Sequence, residues 1–284
     1  MAKIRIVTDS TSDIPEAVRK EYGIEMVPLK VHFGAETFYD AVTIRPDQFY
    51  DKLASAAAMP TTSQPSPADF LEVYKSLGSE PGTEIISIHL SSALSGTYQS
   101  AVLAKSILDG NTNVSVVDSK SASYGIGLLV VEAAKAAKQG KSKDEIVAHL
   151  ERLRREMRIY FLVGTLEYLQ KGGRIGKAAA LFGSLLNIKP ILTIDNDGEV
   201  SSVDKVRGSK KAMARIVEML KAEFGDRDLH MTVAHAKSQE MADEFAELLR
   251  ANFRISEMTF TDVGPVVGTH AGPGTVAAFA RPAP

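Results

Sequence analysis

Two clusters of hydroxyl side chains are the first places in this sequence with the means to do chemistry. One is Leu90-Ser91-Ser92-Ala93-Leu94-Ser95-Gly96-Thr97-Tyr98, and the other is Pro60-Thr61-Thr62-Ser63-Gln64-Pro65-Ser66-Pro67. Each precedes a run of helical composition. The first N–H groups of a helix lack intrahelical partners, and the helix dipole favours negative charge at that end. Hydroxyls add donors to the same spot, so both clusters suit a small anion. Ser and Thr are also favoured N-caps whatever the function, and either cluster taken singly reads first as a cap. Two of them in one chain point to a small acidic ligand. Arg174, beside Gly173, Arg207, just before Gly208, and His270, in a glycine-rich stretch expected to be an accessible loop, are the candidate charged partners. Alone, each is ambiguous, because surface arginines and loop histidines are common.

Other chemistries fit less well. Gly172-Gly173-Arg174-Ile175-Gly176-Lys177 fails as a phosphate loop, because Lys171 stands where the first Gly belongs and Ala178 where Ser or Thr would bind magnesium. Gly272-Pro273-Gly274-Thr275-Val276-Ala277 fits G-x-G-x-x-A, but too little chain follows it for a βαβ unit. A nucleophile elbow at Ser95 needs Gly where Ala93 stands. The histidines are scattered, and Asp9 and Asp118, each ending a strand, read as turn caps. No metal and no cofactor are expected.

These residues must be positioned by a soluble α/β scaffold. The chain has 284 residues, 44% hydrophobic and 24% charged, a formal net charge of −2 and no cysteine. That is globular composition, without the basic footprint of a nucleic-acid binder and without disulfides or thiolate sites. No apolar run is long enough to span a membrane, no apolar leader opens the chain, and a cytoplasmic location is expected. Ile4–Asp9, Glu25–Val31, Glu84–His89 and Asn113–Asp118 read as strands alternating with helices. This pattern implies a parallel sheet covered on both faces, with ligands outside the carboxyl ends of its strands. Pro60–Pro67 breaks the pattern. A boundary near the charged helix Lys143–Arg158 divides the chain into expected domains 1–157 and 158–284. In the second, Ile159–Val163 and Ile188–Ile194 read as strands, Ala178–Leu186 as a small apolar helix, and Asp195-Asn196-Asp197-Gly198 as a hairpin turn. The glycine-rich tail from Gly264 follows.

Seven stretches in order make the sequence resemble the DegV family: Val7–Asp13, Pro60–Ser66, Leu90–Tyr98, Val117–Lys120, Leu169–Ile175, Ile188–Leu192 and Gly264–His270. The resemblance implies a two-domain α/β protein, a parallel-sheet N-terminal domain plus a smaller α/β C-terminal domain. A long-chain fatty acid such as palmitate would lie in a tunnel between them. It implies that Thr62, Ser63 and Ser95, with Ser92 and His270 beside them, hold the carboxylate. It further implies a non-catalytic subunit that presents the acid to a separate ATP-binding fatty acid kinase subunit, for conversion to an acyl phosphate in phospholipid metabolism. Arg174, Arg207 and His270 would then neutralise the transferring phosphoryl group or dock the partner. A lipid carrier or regulator that never meets a kinase is the alternative.

Overall fold

The computed structural model describes residues 3–109, 112–183 and 188–283. In chain order the elements are β1 (Lys3–Asp9), α1 (Glu16–Tyr22), β2 (Glu25–Val27), β3 (Lys30–Phe33), β4 (Glu36–Tyr39), α2 (Pro46–Ser55), β5 (Thr61–Ser63), α3 (Pro67–Gly78), β6 (Thr83–His89), α4 (Thr97–Ser106), β7 (Asn113–Asp118), α5 (Tyr124–Lys138) and α6 (Lys143–Glu156). They continue as β8 (Arg158–Leu162), α7 (Glu167–Lys171), β9 (Ile188–Ile194), β10 (Val200–Arg207), α8 (Ser209–Phe224), β11 (Leu229–His235), α9 (Gln239–Arg250), β12 (Ile255–Asp262), α10 (Pro265–Ala271) and β13 (Val276–Pro282).

The fold is mixed α/β. β2-β1-β6-β7 form an all-parallel sheet. β4-β3-β5 form a small antiparallel sheet. A six-stranded sheet, β10-β9-β8-β13-β11-β12, is antiparallel except for the β11–β12 pair. The strands of the parallel sheet read as apolar runs because both of its faces are covered. One face packs Val7, Ile85 and Val114 against Phe70, Tyr74 and Ala101 of α3 and α4. The other packs Ile6, Ile86 and Ile88 against α5, which is buried nearly all round and therefore apolar nearly all round. This core continues across to Phe161, Leu192 and Phe279 of the six-stranded sheet, whose opposite face is covered by the apolar stripes of α8 and α9. Among the described residues no helix is long and apolar enough to cross a membrane.

Four expectations need correction. Glu25–Val31 is two strands in two sheets, because Pro28, lacking an N–H, stands where pairing changes from β1 to β5 and β4. The Pro60–Pro67 break contains β5, paired antiparallel with β3. The apolar segment from Ala178 is a 3-10 stretch, Gly176–Leu181, that ends at the turn Phe182–Gly183; Gly183 has φ +78°. The last part of the expected helix, 184–186, lies outside the described residues. The glycine-rich tail is a short helix, α10, opened by Pro265 at its first turn, followed by β13 inside the six-stranded sheet. His270 is therefore on a helix and half-buried, not in an open loop.

Candidate functional site

The carboxyl ends of β1, β6 and β7 bring three turns to one edge of the parallel sheet. Asp9 ends β1, and one of its oxygens accepts from the backbone N–H and hydroxyl of Thr11; the other accepts from Leu90 N–H at 3.0 Å and His89 Nδ1 at 3.0 Å. A single carboxylate thus fixes the turn after β1 to the turn after β6. Asp118 does the same for Ser92 and Lys120, accepting from their N–H groups and from the Ser92 hydroxyl at 2.5 Å. Both acids cap turns.

Between this edge and the six-stranded sheet lies a cavity of about 360 Å³. Its walls are apolar: Leu29 and Leu90 from the parallel-sheet side, Ile159, Phe161 and Phe279 from the six-stranded sheet, and Val266 from α10. Its polar groups divide into two sets. Thr11 donates to Asp9, Ser123 to Asp13 at 2.5 Å, and Thr275 to the carbonyls of Ala271 and Gly272. Each of these hydroxyl protons is already committed to the wall. Thr62, Ser63 and Ser95 differ, because each meets a partner that can itself donate: His270 Nε2 at 2.8 Å, His32 Nε2 at 2.9 Å and Thr97 Oγ1 at 2.9 Å. Ser95 Oγ also accepts from Thr97 N–H in the first turn of α4, whose N-cap, Gly96, offers no capping side chain.

His270 is held neutral. Burial, and then the nearby charge of Arg174, push its pKa down to about 4. Its Nδ1 is buried and has no partner, beside Gly172, where a Cβ would run into that nitrogen. A neutral imidazole carries one N–H, and a buried orphan donor is rarer than a buried orphan acceptor. The proton therefore belongs on Nε2, donating to Thr62 Oγ1 and leaving the Thr62 hydroxyl free to donate into the cavity. Arg174 lines the cavity with its guanidinium anchored on the carbonyls of Leu94 at 3.1 Å and Gly172 at 2.7 Å. This end of the cavity presents hydroxyl donors and a fixed cation, the makings of an anion site.

Behind the lining residues Ser123 and Val266 lie two buried carboxyl groups. Asp13, in the left-handed region at φ 49°, bonds Ser123, itself at φ 52°, and accepts Gly264 N–H at 3.1 Å just before α10. Burial raises its pKa well above the usual carboxylate range. Asp40 accepts from Ser10 Oγ at 2.8 Å, and burial raises it to about 7. The signal for both was weak, since each is an isolated acid in a turn-rich stretch.

Of the candidate residues, Thr62, Ser63, Ser95, Arg174 and His270 share this cavity. Ser92 does not: it is exposed and tied to Asp118. Arg207 is exposed at the end of β10 and is not among the lining residues. Gln64, His32 and Ser123 were not singled out. Among the described residues, no group of three or more His, Cys, Asp or Glu side chains could hold a metal ion.

Comparison with known proteins agrees with this architecture. The DegV family model matches residues 3–283. DegV domain-containing protein TTE1491 of Caldanaerobacter subterraneus subsp. tengcongensis is 40% identical over 282 residues, 98% of this chain and 99% of that one. A solved DegV family protein from Thermus thermophilus, described for its fatty acid binding, superposes with a TM-score of 0.93 at 38% identity, covering 100% of both chains. DegV of Bacillus subtilis, described as a fatty acid binding protein, superposes with a TM-score of 0.91 at 36% identity, again over 100% of both chains. The chain belongs to the DegV family.

Proposed function

We propose that this protein binds one long-chain fatty acid, its tail in the apolar cavity and its carboxylate at Thr62, Ser63 and Ser95, with His270 and Arg174 supporting that end. The observation that carries the reading is the uneven supply of protons around the cavity: its hydroxyls are satisfied everywhere except at this one end. A carboxylate needs donors, and only that end has donors to spare. Burial of the tail contributes roughly 0.8 kcal/mol per CH₂, so the walls supply most of the affinity and the hydroxyls set orientation. The cavity volume lies within the ~300–1,000 Å³ range of small-molecule sites, and the fatty acid binding of the solved Thermus thermophilus and Bacillus subtilis relatives supports the same reading. The halves 1–157 and 158–284 would be its two walls.

The acid is held for a partner, in this reading: a separate ATP-binding kinase subunit phosphorylates the carboxylate to an acyl phosphate. Arg174 is assigned to stabilising charge on the transferring phosphoryl group. Arg207, off the cavity and exposed, is assigned to docking the partner. Lipid extraction from purified protein followed by mass spectrometry tests the first step, with one fatty acid per chain expected and an empty protein overturning it. Ser95→Ala is expected to reduce retention on native mass spectrometry. Adding a competent partner kinase and ATP tests the second step. Acyl phosphate is expected to form, and more slowly with Arg174→Ala; bound acid that is never phosphorylated leaves a carrier.

A further inference from the structure

We propose that His32 is a positioning residue for the carboxylate end of the cavity and couples acid binding to the uptake of a proton. The proposal rests on the fatty-acid reading above. His32 sits in β3, paired in register with Thr37 of β4 and Thr61 of β5, which puts Ser63 diagonal to it on the same sheet face. Its Nε2 lies 2.9 Å from Ser63 Oγ and its Nδ1 2.9 Å from Thr37 Oγ1. Ser63 lines the cavity and Thr37 is exposed. Three side chains thus form one hydrogen-bonded line from the carboxylate end of the cavity to solvent, with an imidazole in the middle.

A neutral imidazole has one N–H for two hydroxyl neighbours. When it gains a proton it donates to both, and Ser63, now accepting from His32, must aim its own hydrogen at the ligand. A carboxylate beside Ser63 favours that state, because it places a cation one hydroxyl away from the anion. His270 cannot take this role, being held neutral by burial and by Arg174.

The charged side chains around His32 are engaged elsewhere. Glu36 of β4 is paired with Lys52 of α2 at 2.6 Å. Lys30 of β3 lies over the Tyr39 ring. α10, packed on β3, contributes only His270. Among the described residues no carboxylate is within ion-pair distance of His32. Asp40, whose pKa is raised to about 7 by burial behind Val266, serves as the control.

The experiment is calorimetric titration of lipid-free full-length protein with myristate near pH 7, in two buffers of different ionisation heat, which counts the protons exchanged. Wild type and Asp40→Asn are expected to take up a fraction of a proton per acid. His32→Gln keeps an amide donor for Ser63 but cannot charge, so it is expected to bind more weakly than wild type and to lose the uptake per acid bound. Ser63→Ala, with His32 intact, is expected to lose it too. Uptake that survives in either variant, or that is absent from the wild type, overturns the proposal. A wild type that binds no myristate overturns the fatty-acid reading beneath it, a result distinct from myristate bound without a proton that depends on His32.

Discussion

Of the histidines that sit against hydroxyls, His89 and His270 could hardly be used more differently. His89 has Ser87 Oγ 2.6 Å from Nε2 and Asp9 Oδ2 3.0 Å from Nδ1, the connectivity of a serine hydrolase triad. His270 has Thr62 Oγ1 at 2.8 Å and no carboxylate partner. Judged by distance alone, His89 is the better machine. Yet Ser87, His89 and Asp9 are each 0% exposed, Tyr74 donates to Ser87 at 2.7 Å, and none of the three triad-like residues lines the cavity described above. Each donor ends on an acceptor, in a chain from Tyr74 through Ser87 and His89 to Asp9. His270 has a bare nitrogen and a cavity in front of its partner. What separates the two pairs is access and an unfilled hydrogen-bonding position.

That contrast breaks if the two pairs respond alike to mutation. The largest effect is expected at the saturated pair: His89→Ala removes one donor from the buried Asp9, leaves Ser87 without its acceptor and opens a cavity, and should cost roughly 2–4 kcal/mol of unfolding free energy in urea. A loss under about 1 kcal/mol would mean the network contributes little. His270→Ala should do the reverse, lowering fatty-acid affinity by about tenfold while changing stability by less than about 1 kcal/mol; equal losses in both measurements would erase the distinction.

The carboxyl-backed wall gives a pH-dependent test. Burial raises Asp40 to about 7, so the folded protein keeps a proton that the unfolded chain releases near pH 4. The stability this group contributes is therefore complete below about pH 4 and is lost as pH rises through 7. Thermal melts of Asp40→Asn should show a weaker decline between pH 5 and 7.5 than wild type, and an identical decline would remove Asp40 as its source. The smallest effects belong to Ser92→Ala and Arg207→Ala, exposed and off the cavity. Both should retain fatty acid as wild type does, with stability within about 0.5 kcal/mol.

The readability of this chain follows from how local each cause is. The parallel strands were legible, because burial on both faces makes each a contiguous apolar run. The hydroxyls of Thr62, Ser63 and Ser95 stood out because they cluster in sequence. β5 was invisible: three residues, all hydroxyl-bearing, become a strand only by pairing with β3, a partner thirty residues away in sequence. The Lys30–Tyr39 hairpin had a readable sign, Gly34 at φ +59° between two alternating runs, and was missed by extending the preceding strand through Pro28. Asp13 and Asp40 owe their raised pKa values to burial by segments remote in sequence, which no local pattern encodes. Ser92 shares its motif with Ser95 but turns to Asp118, a choice set by the fold.

The placement of β13 has a consequence for how such a protein is made. It is synthesised after every other strand of its sheet yet lies between β8 and β11, so until Val276–Pro282 leaves the ribosome β10-β9-β8 and β11-β12 are separate ribbons with bare edges. Such edges invite mispairing, and a nascent chain halted before this strand is a candidate for aggregation or chaperone capture. Ala277 and Phe279, which line the cavity, arrive with the same strand. The cavity wall is therefore completed in a single late event, when β13 slots between its two neighbours.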